Sequence, residues 1–217
     1  QADPATATCY LGETRAGITE ELADLDQDWT ETVRTVRDAH GNLIGAALIE
    51  WDAEVGRAWV YGPWATPDSW DAHADSLLTS VLDQLPEGLT DAEFGYDLRN
   101  TRLAALGEER GWHSIGTNHV YVADDAAAVT WPRNVPRIRE VTADDLADLT
   151  TLHGLEFPGT YATARQLIED PGKITIVAED AAGQPIGYAS GHIEPDGEGY
   201  VDFMAVCPDA RGLGDGR

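Results

Sequence analysis

The apolar positions of the chain change period several times, and each change marks an element. ITEELADLD has Ile18, Leu22 and Leu25 three or four apart with Thr19 as a candidate cap, predicting a short helix from about Glu20. TETVRTVRDA predicts a strand from about Glu31, turning at His40-Gly41-Asn42 into LIGAALIEWD, and RAWVYGPWA gives a third strand ending near Pro67: an antiparallel meander. PDSWDAHADSLLTSVLDQL sets Leu77, Leu78, Val81, Leu82 and Leu85 on one helical face before Pro86 and Gly88 stop it. A strand over Asp91 to Tyr96, a helix over Asn100 to Arg110 closed by Gly111, and a strand over Thr117 to Val122 complete the first half. Asp124 to Arg137, with its alanines, Pro132, Asn134 and Pro136, predicts a linker.

The pattern then restarts in register. Arg137 to Val141 predicts a strand, Ala143 to Gly154 and Ala162 to Asp170 two helices, and KITIVAEDAAGQPIGYASGHIEPD repeats the meander. A shift of 142 residues places Asp38 on Asp180, Gly41 on Gly183, Gly45 on Gly187 and Ala47 on Ala189, and a shift of 141 places Val60 on Val201 and Pro67 on Pro208. Two copies of one domain explain this. The expected division is a first domain over 1–123, a linker over 124–137 and a second domain over 138–217, with a first copy lacking its opening strand and a second copy stopping soon after Pro208.

Composition narrows the partners. The chain of 217 residues has 39 acidic against 14 basic residues and a formal net charge of −25, which repels nucleic acid and anionic membranes and draws cations. Lys173 is its one lysine. Two cysteines, Cys9 and Cys207, make no disulfide framework, and no signal peptide or transmembrane run is present, so a cytoplasmic location is expected. No metal constellation stands out: Asp24, Asp26 and Asp28 alternate like a calcium loop, but Trp29 occupies the glycine position and Thr35 that of the closing glutamate. His153 and His192 read as isolated histidines, and no His-x-x-x-His, Cys-x-x-Cys or Gly-x-Ser-x-Gly motif occurs.

The candidate chemistry lies in YVDFMAVCPDARGLGDGR, Tyr200 to Arg217. An apolar strand is stopped by Cys207-Pro208-Asp209 and runs into a loop whose glycines leave the backbone open, so that successive N–H groups can converge on phosphate oxygens. Arg211 adds a cation beside them. The spacing Arg-x-x-Gly-x-Gly after Val-x-Pro resembles the pyrophosphate loop of the GNAT superfamily of N-acetyltransferases, as NTRLAALGEERGW, Asn100 to Trp112, resembles a later motif of the same superfamily. The resemblance covers both halves and implies an α/β (α+β) fold of two GNAT-like domains, each a mixed, partly antiparallel sheet flanked by helices. The first copy departs from the pattern, with SWDAHADS, and so Asp71 and Asp75, where the glycine loop belongs; a degenerate copy that does not bind CoA is expected. In the second copy Asp215 stands where an aliphatic residue is usual.

The resemblance implies acetyl-CoA as co-substrate, held by the backbone of Met204, Ala205 and Val206 and by Arg211, Gly212, Leu213, Gly214, Asp215, Gly216 and Arg217. It implies transfer of an acetyl group to a small-molecule amine by direct attack in a ternary complex, and it allows a homodimer. The base must be a carboxylate or water relay near the strand. Alternation places Tyr200, Asp202, Met204 and Val206 on one face, so Asp202 or Tyr200 is the candidate, with Glu198 and Glu194 as alternatives. The other function class consistent with these residues is a tandem GNAT protein that binds CoA or a small ligand without turnover.

Overall fold

The computed structural model describes all residues except 10, 13, 124–136, 194–196 and 213–217. The chain divides into two units, residues 1–115 and 116–217.

The first unit runs α1 (Arg15–Ala23), α2 (Trp29–Thr32), β1 (Arg34–Arg37), β2 (Leu43–Asp52), β3 (Arg57–Ala65), α3 (Trp70–Leu82), β4 (Asp91–Glu93) and α4 (Thr101–Glu109). Its sheet has the order β1-β2-β3-β4, antiparallel until β4 joins β3 in parallel. Alternation in β2 sends Ala47 and Ile49 to one face, where they meet Leu77, Leu78 and Val81 of α3. It sends Leu48 to the other, where it packs with Trp59, Tyr61, Leu22 and Leu25. Both faces are therefore covered, and Asn100 caps α4 by accepting from the Leu103 N–H at 3.2 Å.

The second unit runs β5 (Ile138–Glu140), α5 (Leu146–Glu156), α6 (Ala164–Glu169), β6 (Ile174–Glu179), β7 (Pro185–Ile193) and β8 (Gly199–Val206), an antiparallel sheet in that strand order. Leu149, Leu152 and Leu167 of the helices bury one face against Val177, Tyr188, Phe203 and Ala205. The Thr175 hydroxyl donates to the Leu167 carbonyl at 2.6 Å and meets Ser190 Oγ at 2.8 Å, so the polar atoms under α6 are satisfied.

The repeat seen in the sequence is a repeat of hydrogen-bond register. Thr35 pairs with Ala46 and Val36 with Gly45, as Val177 pairs with Tyr188 and Ala178 with Gly187, and each ladder slips one pair later. The turns repeat too. Asp38 accepts from the N–H groups of His40 (2.8 Å) and Asn42 (2.9 Å), as Asp180 accepts from Ala182 (2.8 Å) and Gln184 (2.9 Å). Gly41 and Gly183 take φ of 85° and 82° in these turns, which is why both copies keep glycine.

Three expectations need correction. The first helix starts a turn early, at Arg15, because Thr14 and not Thr19 caps it. The strand predicted from Glu31 begins at Arg34, because Asp28 accepts from the Thr30 N–H at 2.9 Å and winds Trp29–Thr32 into one helical turn. Thr117 to Val122 forms no strand: Tyr121 and Val122 are 92% and 83% exposed, and an alternating pattern holds a strand only where a ladder neighbour and a buried face exist. The predicted linker lies largely outside the described residues.

His153 is packed in the core, as an isolated histidine was expected to be. Its Nε2–H donates to the Ala162 carbonyl at 2.8 Å, so Nδ1 accepts from the Tyr188 hydroxyl. Burial holds its pKa below the ordinary value, with the Ala162 bond opposing. A group with a depressed folded pKa gives its full stabilisation above the unfolded value of about 6.5 and loses it as pH falls below that. The urea midpoint of the second unit will therefore fall between pH 7 and pH 5, and by less in His153→Gln, which keeps a donor and an acceptor but does not titrate. Equal pH dependence in the two proteins would refute this.

Candidate active site

The site is built on a break in a ladder. Ser190 pairs with Phe203, but the next residue, Gly191, pairs with Val201, leaving Asp202 as an extra residue in β8. The bulge abolishes the expected alternation. Asp202 and Phe203 both reach Tyr161, on the helix side of the sheet, while Met204 is 60% exposed. Tyr200, Asp202, Met204 and Val206 therefore do not share one face: Tyr200 and Asp202 sit beside His192, and Met204 and Val206 follow the opposite alternation from buried Phe203 and Ala205.

Three elements converge on the Asp202 carboxylate. The Tyr161 hydroxyl, between α5 and α6, donates to Oδ1 at 2.8 Å. Lys173 Nζ, just before β6, donates to Oδ2 at 2.8 Å. His192 Nδ1, on β7, lies 3.0 Å from the same oxygen and 3.2 Å from Lys173 Nζ. With the proton on Nδ1 the ring donates to Asp202 and the ammonium bonds the carboxylate alone; with Nδ1 bare the ring would accept from Lys173 and make no bond to Asp202. The Tyr200 ring packs on His192 with centroids 5.5 Å apart. The Asp202 side chain is 4% exposed against 18% for Lys173 and 25% for His192. Burial alone would raise the Asp202 carboxyl, but the bonds from Lys173, His192 and Tyr161 outweigh it and hold the group below the ordinary carboxylate range. Burial, then the Asp202 charge, push the Tyr161 phenol well up, so it stays protonated as a donor.

Of the candidates named from sequence, Asp202 and Tyr200 are thus brought together; Glu198 precedes β8 and is exposed, and Glu194 lies outside the described residues. Tyr161, Lys173 and His192 were missed. The signal available for Lys173 was its rarity, and His192 was set aside as isolated although it faces a carboxylate across one ladder.

The nucleotide-binding candidates lie next to this cluster. Met204, Ala205 and Val206 pair with β7 on one side, and β8 is an edge strand among the described residues, so its other edge presents backbone N–H and C=O groups. Pro208–Ala210 forms one 3-10 turn and Gly212 has φ of 81°, a conformation that suits glycine. Arg211 Nε donates to the Val206 carbonyl at 3.0 Å and its guanidinium pairs with Glu156. Leu213, Gly214, Asp215, Gly216 and Arg217 fall outside the described residues. Burial leads in pushing the Cys207 thiol up, so a reactive thiolate has no support there.

The first unit has the same ladder with different contents. The 142 and 141 shifts put His192 on Glu50 and Asp202 on Tyr61, whose hydroxyl donates to Glu50 Oε2 at 2.7 Å. Glu50 also accepts from the Asp26 N–H at 3.1 Å, which closes the pair under the α1–α2 segment. After β3 the Thr66 carbonyl takes the N–H groups of Ser69 (2.9 Å) and Trp70 (3.1 Å), so the chain turns straight into α3 with no glycine loop. Asp75, expected to repel a phosphate, is neutralised by Arg110, leaving Asp71 in the first turn of α3.

Residues 140–217 match the model of the acetyltransferase (GNAT) family, a span that holds Tyr161, Lys173, His192 and Asp202. These residues belong to the GNAT acetyltransferase family. A GCN5-related N-acetyltransferase from Sphaerobacter thermophilus shares the fold over 92% of this chain and 68% of its own, at 16% identity and a TM-score of 0.54. A tandem GNAT protein from the clavulanic acid biosynthesis pathway aligns over 85% of this chain and 67% of its own, at 16% identity and a TM-score of 0.45. No curated protein sequence matches the chain. The second unit is thus a GNAT-type acetyltransferase domain, the family's general activity being acyl-CoA-dependent acetyl transfer. Two sheets flanked by helices make the GNAT-like pattern of the chain. Among the described residues no helix is long and apolar enough to cross a membrane, and no group of three metal-ligating side chains occurs.

Proposed function

We propose that this protein transfers an acetyl group from acetyl-CoA to a primary amine of a small molecule, by direct attack within a ternary complex in the second unit. The observation that carries this reading is the Asp202 cluster at the bulge of an edge strand. In such a step the amine nitrogen forms a bond to the acetyl carbon, the C–S bond breaks, the amine gives up a proton and the thiolate takes one. Asp202 is sealed by its partners, so it acts through them: the carboxylate orients the His192 ring, and imidazole is the side chain that ordinarily exchanges protons near neutral pH. Tyr200, 47% exposed beside His192, lines the approach, and Glu198 with the acidic surface raises the local concentration of cationic acceptors. In this reading the backbone edge of Met204 to Val206 takes the pantetheine arm, and the glycine-rich sequence from Arg211 to Arg217 takes the pyrophosphate. The first unit is a scaffold that holds no CoA.

Two measurements test the reading. Acetyl-CoA will raise the melting temperature of the full chain in a concentration-dependent way at one site per chain, and Gly212→Val, which puts a β-branched side chain at positive φ, will weaken that shift. A panel of amines, alcohols and thiols followed by release of free CoA thiol will show turnover with primary amines. Turnover confined to alcohols or thiols refutes the amine assignment. Binding without turnover on any acceptor favours a CoA-binding protein instead.

A further inference from the structure

We propose that Lys173 is a positioning residue for acetyl transfer, the counter-charge that keeps the Asp202 carboxylate fixed on its bulge and pointed at His192. This rests on the acetyl-transfer reading above. The groups facing Asp202 are the Tyr161 phenol from the α5–α6 connection, the Lys173 ammonium from the α6–β6 connection and the His192 imidazole from β7, with Tyr200 behind the imidazole. Of these, Lys173 brings the ammonium that pairs with the carboxylate, Nζ to Oδ2 at 2.8 Å. A carboxylate 4% exposed is held by hydrogen bonds from Tyr161 and His192 and by the Lys173 ammonium, whose charge adds to those bonds in offsetting the cost of leaving water.

The choice of side chain supports the assignment. Thirteen of the 14 basic residues are arginine, so the chain's one lysine is a departure from its own composition. A compact ammonium reaches Asp202 Oδ2 at 2.8 Å while sitting 3.2 Å from His192 Nδ1. A planar guanidinium would take both carboxylate oxygens and displace the imidazole or the phenol.

The test is the pH dependence of kcat/KM for the full chain with acetyl-CoA and an accepted amine. In Lys173→Met the acid limb moves up by about one pH unit or more, the effect of an opposite charge at this distance, because the buried carboxyl is left to burial and the bonds from Tyr161 and His192. Lys173→Arg restores the charge and returns the limb to the wild-type position, while its turnover stays low because the fork cannot reproduce the geometry. An unmoved limb in Lys173→Met overturns the proposal. The carboxyl carbon of Asp202, assigned by its loss in Asp202→Asn, gives a second readout by NMR titration that needs no turnover. A midpoint raised in Lys173→Met supports the lock even where no acceptor reacts, an outcome that would sink the acetyl-transfer reading alone. If Lys173→Met does not fold, the double variant Lys173→Met/Asp202→Asn, which carries neither charge, recovers folding; a double variant as unstable as the single one means the lysine only fills space and overturns the proposal.

Discussion

Replacing Asp202 by asparagine will lower kcat for acetyl transfer by about two to four orders of magnitude, the usual contribution of positioned proton transfer, while acetyl-CoA still shifts the melting temperature. Asparagine has the same shape and keeps an oxygen for Tyr161 or Lys173. It cannot hold a negative charge against the His192 Nδ1–H, so the ring loses the partner that sets its tautomer and angle. The nucleotide contacts assigned here are backbone groups of β8 and the following loop, two to fifteen residues beyond Asp202, and they survive an isosteric change. A variant that loses acetyl-CoA binding along with turnover would show that Asp202 shapes the strand and not the chemistry. The wild-type profile follows from the sign of the shift. A carboxyl held below its ordinary range is ionised throughout the neutral region and protonates only in acid, so activity persists downward in pH until Asp202 takes a proton.

Local patterns carried most of the fold because the signals that write it are local. The Asp-x-x-Gly turns at Asp38 and Asp180 are four-residue devices, and their recurrence exposed the repeat before any ladder was known. The helix capped by Asn100 and the face of Leu77, Leu78 and Val81 are likewise short-range. The segment from Thr117 to Val122 shows the limit: its alternation is genuine, but a strand is a property of pairs, and no partner is paired to it in the described structure. The site lies beyond that limit for the same reason. Asp202 meets partners 41, 29 and 10 residues away on separate elements. The face they share depends on one extra residue in β8, which alternation counting assigns to the wrong side. His192 looks isolated in sequence because its carboxylate lies across a hairpin. The glycine motif after β8 stood out in the sequence because glycine spacing and a preceding strand are contiguous.

Gly191→Ala will be the most destabilising single-methyl change in the second unit. A Cβ at that position would lie 2.2 Å from the Tyr200 carbonyl oxygen and 3.2 Å from its carbon, and both are backbone atoms of the facing strand, so no side-chain rotation relieves the clash. Gly191 is the residue where the β7–β8 register slips, so the strands must part or the bulge must move. Overpacking of this kind costs about 1–3 kcal/mol when side chains can yield, and here the backbone must yield instead. The expected loss is about 3 kcal/mol or more in urea unfolding, read from the transition assigned to the second unit. Moving the bulge also carries Asp202 away from Lys173 and His192, so acetyl transfer will fall with stability. Gly154→Ala is the matched control. That glycine lies within α5 with nothing within 4 Å of the added carbon, so alanine there will raise stability by about 0.5–1 kcal/mol through helix propensity alone. A Gly191→Ala protein with wild-type unfolding and activity would show that the ladder tolerates a side chain at its slip, and the bulge that places Asp202 would then need another cause.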